Sequence, residues 1–318
     1  MTKILLLGGT GFVGSHLCEK LARQLFRVTI ATRRAEHANQ IQHLPGLEVA
    51  TVNVMDDAQL GRLVDGHDAV VNLIAILHGD EAAFTRMHVD LPQKLAQACL
   101  KAGVKRVVHV SALGAGLKAP SMYQRSKARG EQVLRAAALD LTVLRPSVIF
   151  GEGDKFLTVF AKLQKMLPVM PLAGADTRFQ PVWVEDVADA IVHCLRTPAT
   201  SGQTYDLCGP DVFTLRELVR FAGCVSGANH GQGRPVLALP EALGRLQAAL
   251  MSLAPGEPLM SRDNLDSMKV DNVSDGVLPG LAALGIDAAS LPAIVPGYLG
   301  KRAPEVAFLS LRKSAGRD

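Results

Sequence analysis

The chain has 318 residues, of which 48% are hydrophobic and 20% charged, enough to bury a large core in one large or two unequal domains. Its net charge of +4 comes from basic residues spread along the chain, not from a stripe or tail, which argues against a nucleic-acid partner. The five cysteines (Cys18, Cys99, Cys194, Cys208 and Cys224) are odd in number and form no CxxC pair, so they read as reduced thiols and not as a disulfide framework or zinc site.

Met1 runs within three residues into a strand-like segment, which leaves no room for a signal peptide, and no stretch carries the ~18 apolar residues of a membrane span. A cytoplasmic protein is expected. From Lys3 to about Phe150, short apolar runs alternate with segments of helical period, the pattern of an α/β parallel sheet covered by helices on both faces. Strands are predicted at Ile4 to Leu7, Arg27 to Ala31, Leu47 to Val52, Ala69 to Ile74, Arg106 to Ser111 and Leu141 to Leu144. Helices are predicted at Gly14 to Gln24, Met87 to Ala102 and Tyr123 to Ala137.

After Phe150 the chain becomes punctuated by Pro and Gly, with further strand signals at Gln180 to Val184 and Gln203 to Leu207. Thr214 and Glu217 form a capping box ahead of an apolar run, and Leu239, Leu243, Leu246, Leu250 and Leu253 recur at helical spacing. The expected organisation is a Rossmann-type domain over 1–150, joined by about 178–207, with 151–177 and 208–318 forming a smaller substrate or lid domain.

The chemistry starts at Gly8-Gly9-Thr10-Gly11-Phe12-Val13-Gly14, which follows the first strand and opens the first helix. In that context Gly8 permits a tight turn, Gly11 lets the backbone approach a pyrophosphate, and Gly14 lets helix and strand pack. The free N–H groups of the helix start, with its positive dipole end, favour the anion. The second strand continues as Thr32-Arg33-Arg34, with no acid for ribose hydroxyls and two arginines where a 2′-phosphate would lie. This predicts NADP(H) in preference to NAD(H).

Tyr123 and Lys127 lie four apart, so a helix presents both on one face, after the strand ending His109-Val110-Ser111-Ala112. A nearby ammonium is expected to lower the phenol pKa and let Tyr123 exchange a proton with a substrate oxygen. The remaining histidines show no metal-ligand spacing, so no metal is predicted.

These motifs occur in the same order as the landmarks of the extended and atypical short-chain dehydrogenase/reductase superfamily. Arg145-Pro146-Ser147-Val148-Ile149-Phe150-Gly151-Glu152-Gly153-Asp154 and Val182-Trp183-Val184-Glu185-Asp186-Val187-Ala188 extend the match. Within it, Val71-Asn72-Leu73-Ile74, Met87-His88-Val89-Asp90, Val110-Ser111-Ala112-Leu113-Gly114 and Asp271-Asn272-Val273 resemble the branch that holds bacterial nucleoside-diphosphate-sugar epimerase-like proteins and a mitochondrial complex I accessory subunit.

The resemblance implies a Rossmann fold, a bound nicotinamide dinucleotide and a small C-terminal substrate domain. It implies that Asn53 and Val54 lie at the adenine, Ile74 and Ala75 line the cofactor groove, Lys127 bonds the nicotinamide ribose, and Pro146, Ser147 and Val148 lie against the nicotinamide. Two departures stand out. Ala112 occupies the place of the family's active-site hydroxyl residue, leaving Ser111 one residue early as its substitute, and His88 replaces the helix asparagine that supports the lysine. Imidazole at that place suggests either a proton relay or a structural histidine.

The functional expectation is an oxidoreductase that passes hydride between NADP(H) and a carbonyl, hydroxyl or quinone-like substrate, with Tyr123 handling the proton. The alternatives are a cofactor-binding structural or sensor protein without turnover, and a nucleotide-sugar epimerase. Arg178 stands close to the place of the epimerase diphosphate clamp, shifted by one residue. Expected partners are a small-molecule substrate and a second copy of the chain. Contact with a respiratory complex or an anionic membrane surface is open to the helix around 237–253 and the tail bearing Lys301, Arg302, Arg312, Lys313 and Arg317.

Overall fold

A computed structural model describes residues 2–251 and 260–300. Leu253 and the basic tail from Lys301 to Arg317 lie outside that range, as does the side chain of Leu250. The first half of the chain runs β1 (Lys3–Leu7), α1 (Phe12–Arg23), β2 (Arg27–Thr32), β3 (Leu47–Thr51), α2 (Asp57–Val64), β4 (Ala69–Asn72), α3 (Glu81–Thr85), α4 (Leu91–Ala102), β5 (Arg106–Val110), α5 (Met122–Ala136) and β6 (Asp140–Pro146). The second half runs β7 (Ile149–Phe150), α6 (Leu157–Met166), β8 (Met170–Ala173), β9 (Arg178–Phe179), β10 (Val182–Trp183), α7 (Val184–Arg196), β11 (Thr204–Leu207), β12 (Phe213–Thr214), α8 (Leu215–Val225), β13 (Val236–Leu239), α9 (Glu241–Met251), α10 (Arg262–Ser267) and α11 (Leu291–Leu299).

Seven strands form one parallel sheet in the order β11-β6-β5-β4-β1-β2-β3. The order reverses between β1 and β4, and it is at such a switch point that open α/β sheets bind ligands beyond the carboxyl ends of their strands. Side chains alternate across the pleat. Ile4 and Leu6 join the core under α1 and α7, while Leu5 and Leu7 join the core under α2 and α4. All four are fully buried, each contributing about 1.5–3 kcal/mol of apolar transfer. Strand β11 completes the sheet beside β6 although 57 residues separate Pro146 from Thr204.

Past β6, helices α6, α8 and α11 pack through Leu157, Ala161, Leu218, Ala222, Leu291 and Val295 into a separate apolar cluster. The Thr214–Glu217 capping box is formed and opens α8. Two local predictions are corrected. Leu239 belongs to β13, which pairs with β8, and the helix starts only at Glu241. The helix predicted from Met87 begins earlier, at α3, and passes through a π turn over Arg86–Asp90 before α4; Asp80 caps α3 by accepting from the Ala83 amide.

Candidate functional site

Leu7 ends β1 and hands the chain to Gly8, whose φ of +85° sits in the left-handed region that glycine adopts without strain. The Gly11 amide donates to the Gly8 carbonyl at 3.1 Å, closing the turn. A Cβ at Gly14 would stand 2.3 Å from the Gly8 carbonyl oxygen, so this position must be bare for α1 to approach the loop. A Cβ at Gly11 would meet only that same oxygen, at 3.3 Å, and the space beyond stays open.

No side chain caps α1 and no acid stands in its first turn, which leaves the amides of Phe12, Val13 and Gly14 to an external acceptor. Thr10 is half-buried in the same loop. A dinucleotide pyrophosphate fits this cradle, and the residues that would hold it are those of the loop itself.

The ends of the strands that flank β1 lie beside this loop. Arg33 and Arg34 follow β2 and are exposed; the Thr32 hydroxyl fixes their turn by donating to the Arg34 carbonyl at 2.9 Å. The Ile74 amide donates to Asn72 Oδ1 at 3.2 Å, and the Leu73–Ile74 backbone lies directly against Gly8. Ala75 is exposed beside it. Asn53 lies past β3, where its Oδ1 accepts from the Met55 amide at 3.1 Å, while Val54 is buried in the core.

Helix α5 carries Tyr123 and Lys127 against the carboxyl end of β5. Lys127 is buried and donates from Nζ to the Val110 carbonyl at 2.8 Å, and burial lowers its pKa to about 8. The helix closes on its neighbours because Gly130 is bare: a Cβ there would fall 1.9 Å from the His88 carbonyl oxygen. One residue on, buried Glu131 takes Arg145 of β6 in a two-pronged pair at 2.9 and 2.7 Å.

Tyr123 corrects the sequence reading. Its half-buried phenol is pushed up to about 12 by burial, with no lowering by Lys127, whose ammonium is committed to Val110. The ring stands edge-on to His88 and Phe84, at centroid distances of 5.6 and 6.2 Å.

The histidine's alternatives also narrow. His88 Nε2 accepts from the Ile76 amide at 3.0 Å, and Nδ1 meets Ser126 Oγ at 2.8 Å. Because the Ser126 hydroxyl donates to the Tyr123 carbonyl, Nδ1 carries the hydrogen and the ring is neutral. Burial, then the Lys127 charge, lowers its pKa to about 3. Both nitrogens are engaged within the protein, so this imidazole ties the Ile76 backbone to α5.

Ser111 follows β5 and is buried; its amide donates to the Leu144 carbonyl at 2.7 Å, yet its Oγ has no partner among the described residues. Pro146 to Val148 lie at the end of β6, next in the sheet. Asn272 holds them, its Oδ1 accepting from Ser147 Oγ at 2.6 Å and from the Val148 amide at 3.2 Å. Arg178 is bound to Asp271, with its amide and Nε donating at 2.9 and 2.8 Å. Sequence reasoning quoted Asp271 and Asn272 only as a resemblance and missed Asp263, whose carboxylate accepts the Met122 and Tyr123 amides at 2.6 and 3.0 Å.

A glycine cradle at the β1/β4 switch and a Tyr-x-x-x-Lys helix beyond β5 accompany a direct family match: residues 4–208 match the NAD-dependent epimerase/dehydratase family. The chain belongs to that family. The wider resemblance to extended short-chain dehydrogenase/reductases holds with it.

Among curated relatives, this epimerase/dehydratase-family chain is similar to mouse NADH dehydrogenase [ubiquinone] 1 alpha subcomplex subunit 9, mitochondrial. They are 33% identical over 291 residues, 89% of this chain and 76% of the relative. It is also similar to the ceramide reductase of Caulobacter vibrioides, 30% identical over 226 residues and 71% of each chain. Among solved structures, the dTDP-glucose 4,6-dehydratase DesIV of Streptomyces venezuelae, with NAD bound, has a TM-score of 0.66 and 25% identity, covering 76% of this chain and 85% of its own.

Proposed function

We propose that this family member is an NADP(H)-dependent reductase of a carbonyl or quinone-like substrate. A bound nicotinamide would supply hydride to the substrate carbon. Tyr123 gives the proton to the substrate oxygen, for which a phenol that stays protonated to about pH 12 is suited, whereas oxidation of an alcohol would need the phenolate. Lys127 holds the first turns of α5 against Val110, and Ser111 donates to the same substrate oxygen. The buried Ser111 hydroxyl carries the reading: it stands at the carboxyl end of β5, next to the Val110 carbonyl that holds Lys127, and has no partner among the described residues, so it can donate to a substrate oxygen.

Arg33 and Arg34 support the choice of NADP(H), since nothing acidic stands at the end of β2 and both side chains are exposed. The Asp271 carboxylate occupies Arg178, which speaks against epimerisation of a nucleotide sugar. The second reading, cofactor binding without turnover and association with a respiratory complex, is favoured by the complex I names of the mitochondrial relatives. Among the described residues no helix is long and apolar enough to cross a membrane. Our reading places the protein in the cytoplasm or at the inner face of a membrane, with Leu243 and Leu246 of α9 exposed for such contact.

The test is NADPH oxidation by purified protein with quinones, aldehydes and ketones. Turnover that Tyr123→Phe abolishes while NADPH affinity stays unchanged is expected. No turnover across the panel overturns the reductase in favour of the binding protein.

A further inference from the structure

Every α-helix begins with amides that no earlier carbonyl can accept, and how they are satisfied fixes where its first turn sits. In α5 the Ser121 side chain takes the Gln124 amide at 3.2 Å, leaving those of Met122 and Tyr123. A single carboxylate 140 residues later in the chain takes the Tyr123 amide with Oδ2 at 3.0 Å and its neighbour with Oδ1 at 2.6 Å. That carboxylate, Asp263, is only 6% exposed. A negative charge withdrawn from water at a helix N-terminus makes strong, directional bonds to the amides.

Asp263 is itself held in place. It lies in the first turn of α10, which Ser261 and Asn264 open with a capping box, and its own carbonyl accepts from Ser267 Oγ at 3.1 Å. One residue past α10, the Met268 carbonyl accepts from Thr177 Oγ1 at 2.9 Å, tying this segment to the approach to β9. Two oxygens on two successive amides restrain rotation as well as translation of the turn. Tyr123 stands in that turn, with its ring edge-on to Phe84 and His88.

We propose that Asp263 is a positioning residue: the C-terminal segment sets the place of the Tyr123 phenol by clamping the first two amides of α5. This rests on the reading of Tyr123 as the proton donor, and it assigns a role in the reaction to a segment 140 residues after Tyr123 in the chain. Asp263→Asn keeps one acceptor oxygen without the charge, and Asp263→Ala removes both.

The full chain is compared in three measurements. Backbone hydrogen exchange follows Met122 and Tyr123, NMR titration of ring-labelled tyrosine follows the phenol, and steady-state kinetics with NADPH follows turnover. In Asp263→Ala we expect both amides to exchange faster and the Tyr123 phenol to titrate closer to 10. We also expect kcat to fall on the order of 10-fold or more while NADPH affinity changes less than about twofold, as misplacement of one reacting group requires. Asp263→Asn should fall between, and it is the decisive variant if the alanine protein does not fold.

Unchanged exchange and titration overturn the clamp. A parallel loss of kcat and NADPH affinity also overturns it, because that marks general unfolding. If no substrate turns over, the exchange and titration still decide the clamp, and only the reductase reading falls.

Discussion

The ammonium of Lys127 donates to the main-chain carbonyl of Val110 at 2.8 Å, and both residues are buried. A lysine held this way releases its proton near pH 8, against 10.5 for the free side chain. Between those values the unfolded chain binds the proton and the folded one does not, so this residue makes stability rise with pH across that window, by up to about 3 kcal/mol. Urea unfolding of wild type and Lys127→Met from pH 7.5 to 10.5 should show the wild type gaining on the variant, with other titrating groups cancelling in the difference. Parallel curves would mean that the ammonium stays solvated.

His88 gives an acid-side counterpart. Its pKa near 3 lies below the ordinary 6.5, so the stability it contributes is complete above pH 6.5 and is lost as the pH falls toward 3. Full loss amounts to about 5 kcal/mol as an upper figure, given how deeply the ring is buried. His88→Asn is expected to flatten the decline in stability between pH 6.5 and 4. A decline as steep as that of the wild type would assign the acid sensitivity to other groups.

The glycine loop separates folding from binding within three residues. Gly14→Ala drives a methyl group into the Gly8 carbonyl and the Gly9 backbone, and should cost about 2–4 kcal/mol, lowering Tm whether or not nucleotide is present. Gly11→Ala meets little inside the protein, so Tm without nucleotide should stay near that of the wild type while NADPH affinity drops about 10-fold or more. Calorimetry with and without NADPH reads both; an unchanged affinity in Gly11→Ala would remove the pyrophosphate from this loop.

Cofactor choice turns on the end of β2. Because Arg33 and Arg34 are exposed, alanine at either position should leave Tm within about 1 °C, since surface changes are usually within ±0.5 kcal/mol. The double substitution should weaken NADPH by about 10- to 100-fold with NADH unaffected, matching the loss of charge-assisted bonds to one phosphate. Wild-type protein that binds NADH and NADPH equally by titration calorimetry would overturn the assignment.

The sheet was readable because its inner strands β1, β4, β5 and β6 are buried on both faces and therefore mostly apolar, while edge strand β3 is only partly buried; Arg27 and Leu47 begin β2 and β3 where the pattern begins. The Gly8 turn was equally readable, since a strand, a glycine loop and a helix constrain one another. What periodicity could not show is the environment of a titratable group. Four-residue spacing put Lys127 beside Tyr123, but whether the ammonium acts on the phenol depends on the Val110 carbonyl, a backbone atom with no sequence signature. Asp263 was invisible for a related reason: one carboxylate in a short helix gives no sign of which distant amides it will meet. The π turn over Arg86–Asp90 likewise carries no sequence signature of its own, so the sequence pattern starts the helix only at Met87.

Strand β11 has a consequence for how the protein is made. Until Thr204–Leu207 arrives, β6 presents an open row of main-chain donors and acceptors next to the apolar run Leu141–Leu144. A nascent chain stopped near Phe150 therefore has every motif of the nucleotide cradle and a sheet edge ready to pair with another copy. The later segment acts as an edge guard, and a fragment cut at that natural-looking boundary should aggregate where a fragment reaching past Leu207 stays dispersed.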